Sequence, residues 1–286
     1  MPVRTRRRLI ATLLAVTSVV GVGFVASPHA EAKVRWAAFA SSTIHPGVQT
    51  DSPIGQCTAN FVFYRPELNE VYVGQAAHCT GGGDATVTNG CESDSLPLGT
   101  PVTIQGASKP GVLVYSSWLA MNAIDEQDPF ACAYNDFALV KVDPADFAKV
   151  NPSLPHWGGP RGINNTGTAE LEPVFTVGNS GLRQGIGLLM PKSGISLGTS
   201  EQGWVHQVYT LTPGIPGDSG SAMVNSTGLA TGILSTIEIT PVPASNLFID
   251  LAKAMKYAQS HGMPGLRLGT TTVAFNPNQL PLGLGL

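Results

Sequence analysis

Apolar and polar residues alternate with the two-residue period of half-buried strands in a series of short runs. Residues 57–64 alternate, 65–70 turn, and 71–73 return, which predicts a hairpin leading into the loop around His78. Residues 81–84 read as a turn, and 102–105 and 111–116 as further strands. Asp136 opens another alternating run, 137–142, which Asp143 and Pro144 stop. The second half repeats the pattern at 173–177, 185–190, 203–211, 221–224, 228–235 and 247–249. A single stretch carries the helical period. In 250–260, Asp250 caps, Leu251, Ala254, Met255 and Ala258 share one stripe, and Gly262 and Pro264 end the helix. Between the two halves, residues 151–165 are rich in Pro and Gly and read as a linker. No internal repeat appears in the sequence itself. The pattern predicts an all-β chain in two halves with one late helix.

The amino terminus changes the count. Arg4, Arg6, Arg7 and Arg8 precede an apolar run, 9–26, and Ala30-Glu31-Ala32 offers a small-x-small cleavage site, so residues 1–32 read as an export signal. Residues 5–10 also resemble a twin-arginine signal, so the route is Sec or twin-arginine. An uncleaved anchor is the alternative, but Ser, Thr and Gly inside the run favour removal, leaving no membrane segment. The expected location is therefore secreted or cell envelope. Removing the signal takes four Arg and one Glu from the chain's 16 basic and 19 acidic residues and leaves a net charge near −6, which argues against a nucleic-acid partner. A charged fraction of 12%, with 33 Gly and 22 Pro, suits short strands joined by many turns.

Four Cys follow the signal, in an oxidising setting, and permit three pairings among which the sequence does not choose. A zinc site would need His or paired C-x-x-C ligands, and no such spacing exists, so no metal or other cofactor is expected.

The chemistry centres on Gly217-Asp218-Ser219-Gly220-Ser221. A serine hydroxyl is a poor nucleophile unless a base takes its proton and a carboxylate orients that base. His78, in Ala76-Ala77-His78-Cys79, and Asp136, in Asp136-Phe137-Ala138-Leu139, supply both. Alone, each has a bland reading: a surface turn, a structural imidazole, a strand cap. Together they stand in the order His, Asp, Ser, unlike the order in α/β-hydrolases or subtilisin. At these three motifs the chain resembles the chymotrypsin-like serine proteases of bacterial secreted type, over residues 50–260. His45, His156 and His206 lie in no such context.

The resemblance implies two antiparallel six-stranded β-barrels, 51–150 carrying His78 and Asp136, and 166–264 carrying Ser219 and the carboxy-terminal helix. A short segment, 33–50, precedes them, and a Gly/Pro/Leu-rich tail, 265–286, follows with no assigned role. It implies a serine endopeptidase acting on protein or peptide substrate, with the N–H groups of Gly217 and Ser219 as oxyanion donors. It implies the disulfides Cys57–Cys79 and Cys91–Cys132. In the family an apolar amino terminus, here Ile44 or Val48, can insert beside the Asp preceding the nucleophile, although bacterial members do without it. The primary pocket is expected at Pro213, Ser235, Thr236 and Ile237. Pro213 stands where trypsin-like members carry an acid, and Leu234 where glutamate-specific members carry His, so an uncharged preference is expected. The unusual pocket also keeps open a catalytically silent binding protein of the cell envelope, and an esterase would share the acyl chemistry. The sequence carries no signal for the oligomeric state.

Overall fold

The alternating run at 111–116 becomes a strand whose Gly111, Leu113 and Tyr115 are buried while Val112 and Val114 are only partly covered, as a period of two requires. In the computed structural model, which describes Met1 and residues 34–82, 89–237 and 244–279, such strands dominate. The expected export signal and the end of the tail, 280–286, lie outside the described residues.

The first half contains β1 (Gln49–Ser52), β2 (Gly55–Thr58), β3 (Val62–Arg65), β4 (Glu70–Gln75), β5 (Gly81–Gly82), β6 (Asp94–Ser95), β7 (Pro101–Ile104) and β8 (Gly111–Ser116). Helices α1 (Ser117–Ile124) and α2 (Pro129–Tyr134) follow, then β9 (Ala138–Lys141). The second half contains β10 (Glu170–Val177), β11 (Pro191–Ser200), β12 (Val205–Thr210), β13 (Ala222–Asn225), β14 (Ala230–Ile237), β15 (Asn246–Asp250), α3 (Leu251–Ser260) and β16 (Arg267–Leu268).

The second half closes into a six-stranded antiparallel barrel in the order β10-β11-β12-β15-β14-β13. Closure leaves no open edge. The first half differs in detail from the expected six strands: it is an eight-stranded sheet in the order β16-β3-β4-β9-β8-β7-β1-β2. Its edge strand β16 comes from the tail, with Arg267 opposite Tyr64 and Leu268 opposite Phe63. The tail then crosses to the other half. Thr271 N–H donates to Pro160, Asn276 N–H to Trp157, and the Phe275 ring meets Phe175 edge-on at 5.4 Å. Residues 265–279 are thus a strap over both halves.

The 151–165 stretch packs into the core. Trp157 within it is wholly buried, and its indole N–H donates to the Thr176 carbonyl at 3.0 Å. The expected strand at 185–190 is absent: Gly187–Leu189 is a 3-10 turn and the strand begins at Pro191. Gly185, at φ +73°, takes the left-handed backbone that ends extension, and the Ile and Leu side chains there face outward. The predicted helix is α3, where Asp250 accepts from Lys253 N–H at 2.7 Å, a cap worth about 1 kcal/mol.

One continuous core of buried side chains draws from both halves, from Ile44 through Phe137 and Trp157 to Ile249 and Leu268. Phe137 packs on Phe63 at 5.4 Å and Tyr115 at 6.1 Å, which anchors the residue next to Asp136. Among the described residues no helix is long and apolar enough to cross a membrane.

Candidate active site

His78 sits in a single 3-10 turn, Ala77–Thr80, directly after β4. Two links hold that turn in place. The Cys57–Cys79 disulfide fastens it to β2, and the backbone N–H of His78 donates to Asp136 Oδ1 at 2.9 Å. The second disulfide, Cys91–Cys132, ties residue 91 to α2 just ahead of Asp136.

Asp136 is buried and accepts three hydrogen bonds. Besides the His78 N–H, its Oδ2 lies 2.7 Å from His78 Nδ1 and 2.6 Å from Ser235 Oγ, which donates. Ser235 belongs to β14 of the other half, so the carboxylate bridges the two halves. Burial pushes the Asp136 carboxyl up, but the His78 charge and the hydrogen bonds from His78 and Ser235 outweigh it and hold the group low. Burial pulls the His78 imidazole down, but the Asp136 charge and hydrogen bond prevail and set it above its ordinary 6.5. An imidazole whose Nδ1 is held by a carboxylate presents Nε2 as a proton acceptor.

Ser219 lies in a turn gripped from two sides. Its carbonyl accepts from Thr58 N–H of β2 at 2.8 Å, and the N–H of Gly220 donates to Leu234 of β14 at 2.7 Å. A Cβ on Gly220 would come within 3.0 Å of the Ala76 nitrogen, two residues before His78, so the turn lies against the His78 segment. Among the described residues no hydrogen bond joins His78 to the Ser219 hydroxyl. Gly217, at φ +94°, turns its carbonyl back toward Thr58 Oγ1 at 2.8 Å and Gln56 Nε2 at 3.2 Å. Among the described residues no acceptor takes the N–H of Gly217 or of Ser219.

Asp218, between them, is fully buried. It receives Arg183 Nη2 at 2.5 Å, Lys192 Nζ at 2.6 Å and Ser180 N–H at 3.1 Å. Burial raises its carboxyl, but the Arg183 hydrogen bond and the Lys192 charge hold it low. Burial lowers the Lys192 ammonium against the pull of Asp218. Among the described residues the partners of Asp218 are internal groups, and none comes from the amino-terminal segment. Ile44, one candidate for that insertion, is instead buried in a bridge to Val150. Sequence reasoning did not find Arg183. Its one local signal is an isolated cation inside an apolar, glycine-rich run.

The expected pocket residues are adjacent. Pro213 is exposed and its carbonyl accepts from Lys192 Nζ at 3.3 Å. A Cβ on Gly214 would lie 3.7 Å from Ile237 Cγ1, so the segment after Pro213 and the end of β14 approach within van der Waals reach. Thr236 is half-buried and Ile237 exposed at the end of β14, and residues 238–243 lie outside the described residues.

The chain has a chymotrypsin-like fold, with one closed six-stranded barrel and a second sheet. Thermobifida fusca protease A superposes with a TM-score of 0.51 at 15% identity, covering 79% of this chain and 98% of that one. A Glu endopeptidase in complex with MPD superposes with a TM-score of 0.50 at 16% identity, covering 79% and 96%. At such identity the likeness is one of fold. No family model matches the sequence, and no curated protein sequence matches it.

Within this fold, Cys57, His78 and Cys79 place ligand-type atoms within 4.8 Å of one another, but both sulfurs are spent in the disulfide and no thiolate remains for a metal. A second imidazole–carboxylate pair braces the base of α3. His206, fully buried, holds Asp250 at 3.0 Å and Thr199 at 3.0 Å, and that hydroxyl is itself committed to Thr168. A cavity of about 510 Å³ opens between α3 and residues 163–167, and none of the predicted site residues lines it.

Proposed function

We propose that the protein is a secreted serine endopeptidase acting through Ser219, His78 and Asp136. His78 Nε2 takes the Ser219 proton as Oγ attacks a peptide carbonyl carbon. The C–N bond then breaks, and His78 returns the proton to the leaving amine. Water, deprotonated by His78, attacks the acyl carbon and releases Ser219. The N–H groups of Gly217 and Ser219 hold the developing oxyanion, and each such donor contributes about 3–4 kcal/mol. Pro213 offers no charge to a basic side chain, and Ile237 narrows the entrance, so cleavage follows small or apolar residues. Two disulfides fit an oxidising, exported setting.

The observation that carries this reading is the triple acceptance at Asp136, from His78 N–H, His78 Nδ1 and Ser235 Oγ, beside a turn with two uncommitted N–H donors. A catalytically silent binding protein of the same fold is favoured by the missing His78–Ser219 hydrogen bond. In free enzymes, however, such bonds are often long and tighten only with substrate. Digestion of a peptide library, with Ser219→Ala as control, tests the proposal. Cleavage after uncharged residues that vanishes in the variant is expected; an intact library with folded protein argues for the binding reading.

A further inference from the structure

Residues 178–190 form a loop closed at its base by Gly178 N–H donating to the Met190 carbonyl at 2.9 Å. The loop is tethered to the Ser219 turn at three points. Gly181 N–H donates to Gln56 Oε1 at 2.8 Å, and Gln56 Nε2 reaches the Gly217 carbonyl at 3.2 Å. Ser180 Oγ donates to the Pro216 carbonyl at 2.5 Å. Arg183 turns inward to Asp218. Because Arg183 points in, its neighbours point out: Leu182 is 68% exposed, Ile186 50% and Leu188 57%. A loop held this firmly does not need three apolar side chains in water for its own stability, and grouped exposed apolar residues mark binding surfaces.

We infer that Leu182, Ile186 and Leu188 form the recognition surface for apolar residues on the leaving-group side of the scissile bond. The inference rests on the proposed peptidase reading and adds a substrate preference to it. The side follows from how the Ser219 turn is gripped. β14 holds Gly220 through Leu234 and leads to Thr236 and Ile237, which with Pro213 flank the acyl-side pocket. β2 holds Ser219 through Thr58 on the opposite flank, and Gln56 of the same strand carries the loop. A chain whose acyl side chain enters between Pro213 and Ile237 therefore leaves past Gln56 and along the loop. Its next residues meet Leu182, Ile186 and Leu188 beyond the backbone contacts that orient it. The preferred substrate has apolar residues in the first two leaving-side positions and disfavours acidic ones, which gain no partner from these side chains.

The test is a pair of peptides sharing one acyl-side sequence, with Leu-Leu or Asp-Asp immediately after the scissile bond. The native protein is expected to cleave the Leu-Leu peptide about tenfold faster in kcat/KM, the scale of one or two apolar contacts. In Leu182→Asp/Leu188→Asp the ratio is expected to fall toward one. Leu182→Ser, a milder change, reads the same ratio where the double variant folds poorly. A native ratio near one, or a ratio unchanged in variants whose Ser219 still reacts with a fluorophosphonate, overturns the inference and leaves the peptidase reading standing. Failure of Ser219 to react in the folded native protein removes both.

Discussion

Replacing Asp218 by Asn keeps the shape of the side chain and removes its charge. In the native protein that charge is fully buried against Arg183 and Lys192, whose side chains are 8% and 4% exposed. The substitution leaves two buried cations with no carboxylate, and breaking a buried pair by removing one partner costs about 3–5 kcal/mol. For a domain of this size about 1 kcal/mol moves Tm by roughly 2–4 °C, so thermal melting is expected to fall by roughly 6–20 °C. Lys192→Met is expected to be far milder, because Arg183 still pairs with Asp218. The double variant Asp218→Asn/Lys192→Met, with one stranded cation in place of two, is expected to recover part of the loss. The acid side follows from the same pair. The Asp218 carboxyl is held below its ordinary 3.8, so its contribution is present above that value and disappears as pH falls through the lower folded value. Urea titration at neutral pH and at acid pH reads both effects. A loss under about 1 kcal/mol in Asp218→Asn, or a double variant no more stable than the single one, would refute the claim that internal cations neutralise this site.

Four other expectations follow from the structure. The His78 imidazole is set above 6.5, so acylation of Ser219 should rise with pH through a midpoint above 6.5. The stabilisation that this pairing adds is present below 6.5 and fades as pH rises through the folded value, which a stability-versus-pH series at fixed salt checks. Gly217→Ala would place a Cβ against Gln56 Oε1 at a φ of +94°, so it should reduce acylation by more than it reduces Tm. Phe275→Ala should lower stability by about 1.5–3 kcal/mol, since the half-buried ring packs on Phe175 and covers Gly228, and equilibrium denaturation measures it.

Much of the molecule was legible because it is local. The run 111–116 coincides with β8, and the cap, stripe and stop at 250–262 coincide with α3, since period and capping are written in neighbouring residues. The His78, Asp136 and Ser219 segments were legible as short motifs. What escaped was long-range or context-bound. Arg183 and Lys192 meet Asp218 across 35 and 26 residues, and no local pattern records that. α1 and α2 were missed, although Asp128 followed by Pro129 is a start signal, and Asp128 does accept from Phe130 N–H at 3.0 Å. At 185–190 an apolar run looked like a strand, but glycine backbone geometry decided against it. Neither the burial of Trp157 nor the strap at 265–279 has a signature in composition, because both depend on two halves already in place.

The central claim is that Ser219 is a nucleophile activated by His78. Timed labelling of the folded protein with a fluorophosphonate, with the adduct mapped by mass spectrometry, tests it directly. The account predicts one adduct, on Ser219, formed about 10²–10⁴-fold more slowly in His78→Ala. No adduct on Ser219, or equal rates in the two proteins, contradicts it.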